Sequence, residues 1–129
     1  IEALGDRISI VNGSGEPHEP YAALMGARGF VTGEACVIPK TCVAIYEAEE
    51  KKDWDKAKEL LRQSSVLWNY LLSGSHIADY IVRVKAALNI LGLPGGIPRL
   101  PLQPASSKEI EDLKKLLSEF PFPELWNKN

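Results

Sequence analysis

The side chains best placed to do chemistry fall in two glycine-bounded motifs, "VNGSGE" at residues 11–16 and "GFVTG" at residues 29–33. Asn12, Gly13 and Glu16 lie just past one apolar run, and Val31, Thr32 and Gly33 close another. Glycine at position 13 lets a ligand approach the backbone closely, although Gly13 and Gly33 serve equally well as turn and strand-end punctuation. Glu16 stands directly before Pro17, where a carboxylate also complements a helix N-terminus. His18 reads as a surface residue of that helix, and His76 as the start of a later one after "SGS". Cys36 and Cys42 are the only cysteines. Six apart and without a nearby histidine, they lack metal-ligand spacing and read as two buried thiols of a reducing, cytoplasmic environment.

The elements that must position these residues follow from the pattern. Ile8 to Val11 form a β-branched run that stops at Asn12-Gly13, the signature of a short buried strand. Pro17 and Pro20 suit a helix's first turn, Ala22 to Met25 continue it, and Gly26 and Gly29 end it before "GFVTG" supplies a second strand. Strand, helix, strand in so short a stretch is a βαβ unit with parallel strands.

Beyond Pro39 the pattern is helical. Cys42, Ile45 and Tyr46 share one face of the first helix, with Glu47, Glu49 and Glu50 as its solvated edge. Asp53 caps the next helix, whose apolar stripe is Trp54, Ala57, Leu60, Leu61, Leu67, Trp68, Leu71 and Leu72 until Gly74. Ile77, Tyr80, Ile81, Val84, Leu88 and Leu91 mark a third helix, ended by "GLPGG". "IPRLPLQP" is an extended connector on which Arg99 is expected to bond backbone carbonyls. Ser106 and Glu109 form a capping box for a last helix carrying Ile110, Leu113, Leu116, Leu117 and Phe120.

Length and charge narrow the classes. The 129 residues are the size of one domain, and a net charge of −2 argues against a nucleic-acid or anionic-membrane partner. No apolar run approaches the roughly 20 residues of a membrane-spanning helix. Two parallel strands expose both edges, whereas parallel strands are normally covered on both faces. Leaving Ile8, Ile10, Phe30 and Val31 wet forfeits about 1.5–3 kcal/mol each, a large share of a typical stability of about 5–15 kcal/mol. The fold class expected is therefore α/β: the C-terminal part of a (β/α)8 TIM barrel, two short parallel strands followed by a mostly α-helical tail. A whole barrel needs about 250 residues and eight strands, so the other strands are expected upstream of Ile1. Residues 1–39 would be the last two βα units, with strands near 8–12 and 29–33, and residues 40–129 the final barrel helix and a helical extension.

"VNGSGE", "MGARGFVTG", "KKDWDKAKELL" and "VKAALNILGL" followed by "PRLPLQP" occur in an order and spacing that resemble the C-terminal segment of the dihydrodipicolinate synthase / N-acetylneuraminate lyase family. These are Schiff-base-forming, class I aldolase-type TIM-barrel lyases. The resemblance implies a lysine that attacks pyruvate or a related 2-oxo acid to form an imine, so neither a metal nor an organic cofactor is expected. It implies substrate-binding roles for Gly13, Glu16, Val31, Thr32 and Gly33 at the strand ends, where barrel enzymes carry their sites. Gly13 matches a pocket glycine, Glu16 an acidic residue that binds sugar hydroxyls in sialic-acid lyases, and Val31 an aliphatic residue whose carbonyl faces the reactive lysine. Thr32 matches a small or hydroxyl residue. Gly33 departs from the hydroxyl side chain of those lyases.

No catalytic residue is expected within these residues. The family's sixth-strand lysine, its proton-shuttling tyrosine and its Thr-Thr pair would all lie upstream. Lys40, Lys51, Lys52, Lys56, Lys58, Lys108, Lys114 and Lys115 occupy charged helical faces or ends, where an ammonium keeps its water, and Lys85 reads as structural or near an interface, not as a nucleophile. A Schiff-base lysine needs a desolvated or cation-flanked setting. By resemblance the partners are a 2-oxo acid, the N-terminal part of the barrel and further copies in a homo-oligomer, commonly a tetramer. The rival reading is a non-catalytic helical interaction or oligomerisation module derived from that barrel.

Overall fold

The computed structural model describes residue 3 and residues 7–121. The chain divides into two compact units, residues 1–63 and 64–129, and the division falls inside a helix. Among the described residues five α-helices are formed: α1 (Glu19–Leu24), α2 (Pro39–Glu50), α3 (Trp54–Leu72), α4 (Ile77–Ile90) and α5 (Ser107–Ser118). The 3-10 turns Glu16–His18 and Glu34–Cys36 precede α1 and α2.

The two expected strands reduce, among the described residues, to one parallel bridge between Asn12 and Phe30. Asn12 N–H donates to the Gly29 carbonyl and Val31 N–H to the Asn12 carbonyl, both at 2.8 Å. A regular parallel ladder takes its next bond to the Ile10 carbonyl from residue 29; here Arg28 N–H supplies it, at 2.8 Å. Gly29 is where the register slips, with φ of +149°, a conformation that favours glycine. The segments run parallel as expected, but the slip keeps the ladder from propagating into named strands. Ile8 (54% exposed), Val11 (53%) and Val31 (65%) are correspondingly uncovered.

In the first unit the core gathers on α2. Thr41, Cys42, Ile45, Ala48 and Glu49 form its buried face, below Val37 and Ile38. Three expectations are corrected there. Glu49 is not at a solvated edge: it lies seven residues after Cys42 and four after Ile45, so helical geometry carries it to the inner face. Tyr46 turns outward instead. Of the two thiols, Cys42 is buried and Cys36, in the preceding 3-10 turn, is exposed. Asp53 caps α3 as its position suggests, its Oδ1 accepting from Lys56 N–H at 3.2 Å.

In the second unit α4 packs on α5, and Leu67, Leu71, Val82, Ala87, Leu113 and Leu117 are buried. Ile77 and Ile81, expected on the apolar stripe of α4, stay exposed, and Val82 and Ala87 face inward instead. Both N-termini carry reciprocal capping boxes, His76 with Asp79 on α4 and Ser106 with Glu109 on α5. Arg83 ties three segments together: Nε donates to Glu109 Oε1 at 3.1 Å, while Nη1 donates to the Tyr70 carbonyl at 2.9 Å and Ser73 Oγ at 3.0 Å. Its guanidinium sits 5.1 Å from the centre of the Tyr70 ring.

The glycine break just before the proline-rich connector is anchored to α4, while Arg99 on the connector itself is exposed. Lys85 Nζ donates to the Gly95 carbonyl at 2.6 Å, and Asn89 exchanges two 2.9 Å bonds with the Gly96 backbone. A β-carbon on Gly95 would lie 2.3 Å from the Lys85 carbonyl oxygen, so only glycine lets the chain approach α4 this closely here. Lys85 is thus structural, as its place in the sequence suggests.

Candidate functional site

Asn12 organises the loop after the first segment. Its backbone joins the second segment, and its side chain closes the loop on itself: Oδ1 accepts from Ser14 N–H at 2.7 Å. Nδ2 donates to the Gly15 carbonyl at 2.9 Å and to Glu19 Oε2 at 2.8 Å. Gly13 stands at the exposed tip of this loop, with open space where a side chain would grow. Glu16 begins the 3-10 turn that leads into α1.

The second motif ends in a small polar knot. Thr32 Oγ1 donates to Glu34 Oε2 at 2.5 Å and accepts from Glu34 N–H at 3.1 Å. Glu34 is only 4% exposed. Gly15 lies against the pair, and a β-carbon built on it would sit 3.8 Å from Glu34 Oε2 and 3.9 Å from Thr32 Oγ1. The two motifs therefore meet through the Asn12 backbone bonds to Gly29 and Val31 and through Gly15 beside Thr32. Of the predicted binding residues, Thr32 is held in a fixed geometry, Gly33 is half-buried at the start of the Glu34–Cys36 turn, and Gly13 and Val31 face solvent.

The buried carboxylates Glu19, Glu34 and Glu49 are the site-forming residues that sequence reasoning misses. Glu19 is 1% exposed; burial pushes its carboxyl above the usual range, and the Asn12 amide partly opposes that rise. Glu49 is pushed up to about 7, first by burial and then by the nearby Glu19 charge. Heptad spacing from Cys42 is the available signal for Glu49. Nothing in local spacing marks Glu34, whose burial comes from the turn that folds it back onto Thr32.

Chemically, the knot offers a positioned hydroxyl and backbone groups at the mouth of two loops. It contains no amine nucleophile. Among the described residues no group of three His, Cys, Asp or Glu side chains could hold a metal ion. Lys51, Lys58 and Lys108 sit in exposed ion pairs. No helix among the described residues is long and apolar enough to cross a membrane.

The structure matches part of the fold of several solved enzymes. The dihydrodipicolinate synthase of Aquifex aeolicus superimposes with a TM-score of 0.79 at 26% identity, over 99% of this chain and 41% of its own. That of Oceanobacillus iheyensis gives 0.75 at 29% identity, over 84% and 36%. These neighbours are TIM barrels, matched here in part. The family model for the dihydrodipicolinate synthetase family matches residues 1–120, and the chain belongs to that family. A 4-hydroxy-tetrahydrodipicolinate synthase of Methanospirillum hungatei is 31% identical over 93% of this chain. An Acidovorax ebreus protein bearing the name Probable 5-dehydro-4-deoxyglucarate dehydratase is 34% identical over 89%. The chain spans 40% and 38% of the length of these two relatives.

Proposed function

We propose that these residues are the C-terminal part of a Schiff-base-forming lyase acting on pyruvate or a related 2-oxo acid. The observation that carries the reading is the family match over residues 1–120, joined to relatives named as a synthase and a probable dehydratase. In this reading the chain supplies the last two βα units and the helical tail. Gly13, Glu16, Val31, Thr32 and Gly33 form part of the pocket rim, with Glu34 holding the Thr32 hydroxyl in place. A lysine elsewhere in the longer protein attacks the substrate ketone and expels water to give an imine. The imine then draws electrons from the neighbouring bond that is made, broken or dehydrated. Neither metal nor organic cofactor enters that scheme. The full barrel assembles as a homo-oligomer in the cytoplasm.

Borohydride trapping tests this directly. With pyruvate, the longer protein should give a single lysine adduct by mass spectrometry, the C=N bond reduced to a secondary amine. The 129-residue chain should give none. A stoichiometric adduct on the chain alone would show that the nucleophile is among the lysines described above; no adduct on the longer protein would remove the imine mechanism.

A further inference from the structure

A second polar feature lies away from the Thr32 knot. Glu19, Arg28, Tyr46, Glu49, Glu50, Lys52 and Trp54 line a cleft of about 180 Å³. Glu49 is 6% exposed, and neither of its side-chain oxygens has a hydrogen-bond partner. Buried carboxylates are almost always paired or hydrogen-bonded, because an uncompensated charge out of water is costly. Here two of them share one cleft, and one has nothing to bond.

We propose that this cleft binds a small organic ammonium ion, held by the carboxylates of Glu19 and Glu49 beside the rings of Tyr46 and Trp54. The charges decide the class. Glu19 and Glu49 are buried, so their field is little screened, whereas Arg28, Lys52 and Glu50 are exposed and act through water. A single positive charge halves the net charge of the ionised pair. Hard divalent ions take six or more oxygen ligands, and the donors here are too few. An ammonium needs only two or three acceptors, and its alkyl chain and charge both suit aromatic faces. The proposal stands apart from the lyase reading: one is tested by amine binding, the other by imine trapping.

The test uses n-propylammonium chloride, titrated into the chain, with sodium chloride at equal ionic strength as comparison. The Trp54 indole N–H resonance should shift saturably with the amine and not with sodium. Glu49→Gln and Glu19→Gln should each weaken binding at least tenfold, and Lys58→Gln, outside the cleft, should leave it unchanged. The amine binds the ionised pair. Its apparent affinity should therefore fall about tenfold per pH unit below the Glu49 midpoint near 7 and level off above it. Equal responses to amine and sodium, or full binding retained in either carboxamide variant, would overturn the proposal. If Glu49→Gln fails to fold, Glu19→Gln decides alone.

Discussion

Glu49 shows how one residue sets a pH dependence for its surroundings. Its carboxyl titrates near 7 in the folded chain, against an ordinary value of 4.5. The folded state thus holds the proton more tightly than the unfolded one. Stability is then full below about pH 4.5, is lost as pH rises toward 7, and is flat above. The loss is no more than about 3.5 kcal/mol, since each tenfold gain in proton affinity is worth roughly 1.4 kcal/mol. Glu49→Gln should abolish most of this slope, leaving the variant more stable than the parent at pH 8 and close to it at pH 4.5. Urea unfolding at the two pH values measures it. A parent more stable at pH 8 than at pH 4.5, with no change in the variant, would contradict the assigned burial. Glu19 acts in the same direction, since its carboxyl is also raised.

Among elements, α5 is the one whose placement depends most visibly on polar contacts. Glu109 serves it twice, as the box residue that accepts from Ser106 N–H at 2.9 Å and as the partner of Arg83. Those donors, Ser106 first, hold the Glu109 carboxyl below its ordinary range. Losing the Ser106 hydroxyl should cost about 1 kcal/mol, a usual value for a cap, read from the urea midpoint of Ser106→Ala. Arg83 should matter more. Its fork satisfies Glu109, the Tyr70 carbonyl and Ser73 at once while covering the Tyr70 ring, and its side chain is only 12% exposed. Arg83→Ala should destabilise the chain by about 2–3 kcal/mol, in the range for hydrogen bonds to charged groups. Arg83→Lys should recover less than half, because a point charge cannot reproduce the planar fork.

For the whole molecule, the question is what completes the parallel pair. Two segments joined by a bridge at Asn12 and Phe30 leave Ile8, Val11 and Val31 more than half exposed, and each wet apolar side chain forgoes stabilisation. In the proposed barrel, neighbouring strands cover them. A longer form that supplies those strands should bind less hydrophobic dye per molecule than the 129-residue chain and should unfold at a higher urea concentration. Equal dye binding by both forms would mean that these side chains are not the barrel's inner wall.

The amino-acid sequence by itself determined the helices and their ends. Pro20, Asp53, Ser106 with Glu109 and the "GLPGG" break act within a few residues of where they stand, and local physics suffices to read them. It also determined the family, because motif order survives where individual contacts change. Tertiary structure alone decided which polar groups are inside. Glu34 is buried by a turn onto Thr32, and Lys85 and Asn89 reach the glycine break after α4 while Arg99 stays exposed. The parallel ladder was cut short where Gly29 shifts the register. Each of these depends on which distant surface arrives opposite a side chain. Periodicity along one element gives the direction of a face, but burial requires a neighbour, and neighbours are set by the path of the whole chain.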